Sequence, residues 1–86
     1  MKEMVLAIGL EDFTVRYFRT KGESEETKTP IYGVMAAKYI DDVEKESACA
    51  GFVSEDKAYV DELIATLGKN TVTPMVLCEV LDELME

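Results

Sequence analysis

Residues 54–86 read SEDKAYVDELIATLGKNTVTPMVLCEVLDELME, and this stretch decides the fold. It spells two short helices. Ser54 is a candidate N-cap, because its hydroxyl can accept from a free N–H of the first turn, and Glu55 and Asp56 suit the positive end of the helix dipole. Val60, Leu63, Ile64 and Leu67 follow at i, i+3, i+4, i+7, one helical face. Gly68 is the expected C-terminal stop. Thr73-Pro74 is a second start signal, an N-cap followed by proline at the first helical position. Leu77, Val80, Leu81 and Leu84 then repeat the apolar spacing, and Glu79, Asp82, Glu83 and Glu86 occupy the opposite face.

Upstream of this block the period changes from helical to two. Residues 3–10 form a nearly continuous apolar run that reads as a strand, with a short helix as the competing reading. Glu11-Asp12 is a turn candidate. Over residues 13–20, Phe13, Val15 and Tyr17 alternate with Thr14 and Arg16, and Phe18 breaks the alternation. Residues 21–30 are polar and read as the longest loop. Residues 31–40 read as the central strand, with Ile31, Met35 and Tyr39 on one face and Tyr32, Val34 and Ile40 on the other. Both faces are apolar, so both want cover. Gly33 predicts a bulge or a close backbone approach. Residues 41–46 read as a charged connection and residues 47–53 as a further strand, in which Ala48, Ala50 and Gly51 would let another element pack closely.

The expected architecture is α+β: one domain over residues 1–86, with an antiparallel sheet of three to four strands in residues 1–53. Two short C-terminal helices in residues 54–86 pack on one sheet face, giving two layers around one core. At this length about 60–65% of the unfolded surface can be buried, so the core is thin and a deep cleft is not expected.

Charge narrows the function. The chain carries 18 acids and 9 bases, a formal net charge of −9. Residues 54–86 hold eight acids and two bases, so −6 of that sits on the helical block. Such a surface repels phosphate backbones, which argues against direct nucleic-acid binding and for basic protein partners. The N-terminus lacks the basic region and long apolar core of a signal peptide, and no apolar run approaches the roughly 20 residues that span a bilayer. A cytoplasmic location without membrane attachment is expected. Cys49 and Cys78 are then free thiols, and their apolar neighbours suggest small core-filling side chains.

The chain contains no histidine, so a histidine relay and a His/Cys zinc site are ruled out. Its five glycines are dispersed, so there is no phosphate-cradling glycine loop. No catalytic residue, cofactor or metal ligand is assigned. The acids at 79, 82, 83 and 86 would form a stripe about 10 Å long on one helix side. This is either a solvated face or a surface for a basic partner.

The order Tyr32-Gly33-Val34, Val53-Ser54-x-Asp56, Asn70-x-Val72-x-Pro74 and Leu77-x-Glu79-Val80-x-Asp82-Glu83 resembles a family of short bacterial domains of unknown function. Their closing pattern is Asn-x-Val-x-Pro-x-His-Leu-x-Asp-Val-x-Glu-Asp. The resemblance spans about residues 31–86. Val76 stands where that pattern has histidine, so no role of that histidine transfers to this chain. The resemblance implies a small bacterial protein and brings no mechanism.

Two functional expectations follow. One is a non-enzymatic interaction or regulatory protein, homodimeric through its sheet, with Tyr32, Val34 and Ile40 as an uncovered apolar patch. The alternative is an acidic nucleic-acid mimic that occupies a basic groove, with Glu79, Asp82, Glu83 and Glu86 as contacts. In size and charge the chain resembles phage-borne inhibitors of that type.

Overall fold

A computed structural model describes residues 2–23 and 25–84, with the side chain of residue 52 outside the description. Four strands, β1 (Lys2–Gly9), β2 (Thr14–Glu23), β3 (Pro30–Ile40) and β4 (Val43–Ser54), form an antiparallel meander in the order β1-β2-β3-β4. Helix α1 (Lys57–Lys69), a 3-10 turn (Pro74–Val76) and helix α2 (Leu77–Leu84) follow. Both helices lie on the same sheet face. The α+β architecture is the one expected, and residues 2–9 are a strand.

The core lies between that face and the helices. Val15 and Tyr17 of β2 and Val34 and Ala36 of β3 meet Val60, Leu63, Ile64 and Leu67 of α1 and Leu77 and Leu81 of α2. The apolar helical spacing in the sequence therefore marks the buried stripe. Ala48 and Ala50 of β4 pack against the same cluster, and their small side chains leave room for the helical layer. Leu84, the last residue of the α2 stripe, is exposed. Tyr17 is fully buried, and its hydroxyl donates to the Val72 carbonyl at 2.7 Å, which ties β2 to the segment between the helices.

Several local expectations are corrected. The strands run further into the polar segments: β2 continues to Glu23, and β3 starts at Pro30, opposite it. The link from β3 to β4 is only Asp41-Asp42, both at positive φ (52° and 64°). A two-residue hairpin turn of this hand demands that conformation, and aspartate tolerates it. The charged residues 43–46 are therefore strand, not connection. Asp56, not Ser54, caps α1, because its carboxylate accepts from the N–H groups of both Ala58 (3.0 Å) and Tyr59 (3.3 Å). Ser54 acts one step earlier and accepts from the Asp56 N–H. Gly68 does not stop α1. The helix runs to Lys69, Asn70 is its C-cap, and the chain turns at Thr71 with φ 49°. Gly68 is buried against Leu6 of β1, so its missing side chain serves close packing rather than termination. Thr73-Pro74 does begin a helical segment, but it is a 3-10 turn and Thr73 makes no side-chain cap bond. Both cysteines are exposed free thiols rather than core fillers.

Candidate functional site

The sheet has one covered face and one open face. The pairing assigns Lys2, Met4 and Ala7 of β1, Arg16 and Phe18 of β2, Met35, Ala37 and Tyr39 of β3, and Ser47 and Cys49 of β4 to the side away from the helices. Among the described residues no other element lies over it. Ile31 belongs to this face as well, opposite Gly22.

Long side chains shield part of this face. The Lys2 ammonium sits 4.7 Å from the centroid of the Phe18 ring, and the Arg16 guanidinium lies 4.0 Å from that of Tyr39. Cations over aromatic faces are favourable and keep these rings from open water. Phe18 is only 9% exposed, whereas Met4 is 55% exposed and Ile31, Met35 and Tyr39 are half-buried. A strip of methionine, isoleucine and aromatic surface thus remains accessible.

The expected patch residues lie elsewhere. Val34 is fully buried in the helix-side core, Tyr32 packs against that core, and Ile40 is half-buried on the same side near the end of β3. Reading the two faces of β3 as separate apolar sets is right, but the helices cover the Tyr32–Val34 face. The open face consists of the alternate set, Ile31, Met35 and Tyr39, together with Phe18. The break in alternation at Phe18 is the sequence signal for it. Two bulges explain why the face could not be assigned from the sequence. Pairing slips by one residue between Met4 and Leu6 of β1 and again near Lys45 of β4, and each slip exchanges which residues share a face across the strands.

Glu79, Asp82 and Glu83 are all exposed on α2, as an acidic stripe requires. Glu86 lies outside the described residues. At the far end of the sheet, Glu11, Asp12, Asp41 and Asp42 line a wide hollow of about 240 Å³. All four are exposed to solvent. Among the described residues no group of three or more cysteines and acids is placed to hold a metal ion.

Arg19 is the charged side chain that sequence reading missed. It shares a face with Val15 and Tyr17, is 9% exposed, and pairs with Asp61 of α1 and with Glu3 of β1 at 3.2 Å. A buried guanidinium needs such partners, because an uncompensated buried charge is strongly destabilising. Its odd-numbered position in β2, in step with Val15 and Tyr17, was the available clue.

A family model described as a family of unknown function (DUF6514) matches residues 2–86. The chain belongs to the DUF6514 family. No curated protein and no solved structure matches it. The match takes in nearly the whole chain, so β1 and the bulged first hairpin fall within the DUF6514 match as well as the segments that carry the resemblance. Among the described residues of this DUF6514 protein no helix is long and apolar enough to cross a membrane.

Proposed function

We propose that this DUF6514 protein is a small, non-enzymatic interaction protein of the cytoplasm that self-associates through the open face of its sheet. The observation that carries the reading is the strip of Met4, Ile31, Met35 and Tyr39 on the open face, opposite the helical layer. Apolar surface of this kind on a small domain marks an interface, and closed two-fold dimers are the commonest soluble assemblies. A second copy presents the same apolar strip, so two sheets stacked about 10 Å apart would cover it on both copies.

The variant that tests this is Ile31→Glu with Met35→Glu. Both residues are half-buried on the open face and outside the helix-side core, so the fold is expected to survive. The expected result is a dimer for the parent and a monomer for the variant, with unchanged circular dichroism. Equal solution masses for the two would remove the basis of the reading. Substituting Val34 instead would test folding rather than assembly, since it lies in the core.

A second reading is favoured by the exposed acids of α2. In it, Glu79, Asp82 and Glu83 imitate phosphates and occupy the basic groove of a nucleic-acid-binding protein. Binding of that kind weakens steeply with salt. Reversing Asp82 and Glu83 to lysine is expected to abolish capture of a basic partner. Capture that is insensitive to both salt and reversal excludes the mimic.

A further inference from the structure

We propose that the hollow between the first turn of α1 and the adjoining end of the sheet binds the phosphate group of a small anion. The hollow has a volume of about 180 Å³ and is lined by Lys2, Glu3, Arg19, Lys21, Tyr32 and Lys57. Four of the nine basic residues in a chain of net charge −9 thus meet around one concavity with a single acid. Lys2 is set aside, because its ammonium is engaged with the Phe18 ring and the Met35 sulfur on the opposite face.

The remaining groups come from three elements. Arg19 and Lys21 are alternate residues of β2 and share a face, Tyr32 of β3 stands directly opposite Lys21, and Lys57 begins α1. Arg19 is held in place by Asp61 and Glu3, which engage two of its nitrogens and leave other N–H donors of its planar fork. Lys21 and Lys57 are exposed, and among the described residues neither has an ion-pair partner. Among the described residues the Tyr32 hydroxyl likewise makes no hydrogen bond. With the Glu3 and Asp61 carboxylates set against the three cations, the hollow keeps a local excess of one positive charge on an otherwise acidic molecule.

This donor set selects the ligand. One guanidinium, two ammonium groups and a phenol approach from different directions, which suits an anion with several oxygens and more than one charge. The volume is below the roughly 300 Å³ at which sites for whole drug-sized ligands begin, so only the phosphate group enters. That group could be free inorganic phosphate or the phosphate of a nucleoside monophosphate whose remainder stays outside.

The test is an amide-resolved NMR titration of the full chain with sodium phosphate and, separately, with adenosine monophosphate, at ionic strength held constant with chloride. Saturable shifts confined to residues 19–21, 32 and 57–59 are expected from at least one of the two. The double variant Lys21→Gln/Lys57→Gln, whose changes are both at exposed positions, is expected to keep the parent spectrum and to weaken binding about tenfold or more, the loss of charge-assisted hydrogen bonds. Tyr32→Phe is expected to weaken it about threefold. Tighter binding of the nucleotide identifies the group of a larger molecule as the ligand, and equal binding identifies free phosphate; both support the site. No saturable shift from either anion, a response that chloride reproduces, or full binding by the double variant overturns it. The outcome does not depend on whether the open face self-associates.

Discussion

Gly33→Ala is expected to lower stability by about 3 kcal/mol or more, the upper range for forcing an added methyl into a packed site. A Cβ at Gly33 would stand 2.2 Å from the Ala50 carbonyl oxygen and 2.6 Å from that of Gly51. Both are backbone atoms and cannot swing away. The Thr20 hydroxyl oxygen, also 2.6 Å from that point, closes the third side. The crowding arises from the bulge. Between the pairs Tyr32–Ser54 and Val34–Ala50, Gly33 alone faces residues 51–53 of β4, so the longer strand folds its carbonyls over the shorter one. Total stability for 86 residues is on the order of 4–13 kcal/mol, so the loss is a large fraction of it. A fall in Tm of roughly 12–24 °C is expected in a thermal melt. A shift within a few degrees of the parent would mean that β4 does not cross Gly33 in this way. Gly51→Ala is the control, because nothing lies within 4 Å of a Cβ there.

Tyr17→Phe is expected to cost about 1–3 kcal/mol, the penalty for a buried acceptor left without its donor. The acceptor is the Val72 carbonyl, which receives the Tyr17 hydroxyl at 2.7 Å. The Leu67 carbonyl, 3.4 Å from the same hydroxyl, keeps a partner in the Val72 N–H at 3.0 Å. The effect therefore concentrates on the segment that leads from α1 into the 3-10 turn. The same residue gives a pH signature. Burial disfavours the phenolate and pushes the Tyr17 hydroxyl above its ordinary value of 10.0. The folded protein thus holds this proton more tightly than the unfolded chain. The resulting stability is fully present below pH 10 and is lost as pH rises through the raised value. Denaturation followed from pH 8 to 11 is expected to show the gap between parent and Tyr17→Phe closing above pH 10. A constant gap would place the hydroxyl in water rather than in the core.

The helical half of the chain was legible from its sequence because its signals are local. Val60, Leu63, Ile64, Leu67, Leu77 and Leu81 repeat on one face and are all buried. The helix ends were less legible, since several polar residues compete there. Asp56 outperforms Ser54 because a carboxylate accepts two N–H groups at once. Gly68 carried a stop signal that a packing demand from Leu6 had already claimed. The sheet count and direction were also readable from the period-two segments. The orientation of the sheet was not. Without the extra residue near Lys45, Ala48 and Ala50 would face the same side as Met35, and the helices would have no flat bed of small residues to rest on. A one-residue slip leaves almost no trace in composition, yet it decides whether Ala48 and Ala50 share a face with Val34 or with Met35.

The face of β2 and β3 that the helices cover decides the candidate interface. Tyr32 and Val34 are apolar for the sake of the core. Ile31, Met35 and Phe18 are apolar on a face that the domain itself leaves open, and two cations fold over the aromatic rings there. The acids of α2 were legible by spacing, and exposure is all that a solvated face or a partner surface requires of them. The basic hollow was hidden because Arg19, Lys21, Tyr32 and Lys57 come from three elements whose proximity only the fold creates.

Sedimentation equilibrium of the purified parent chain over a micromolar dilution series, beside Ile31→Glu/Met35→Glu, tests the interface most directly. Self-association through the open face predicts a reversible species of twice the 9.6 kDa chain mass for the parent and the chain mass alone for the variant. A parent that stays at the chain mass throughout, or a variant that matches the parent, would contradict it.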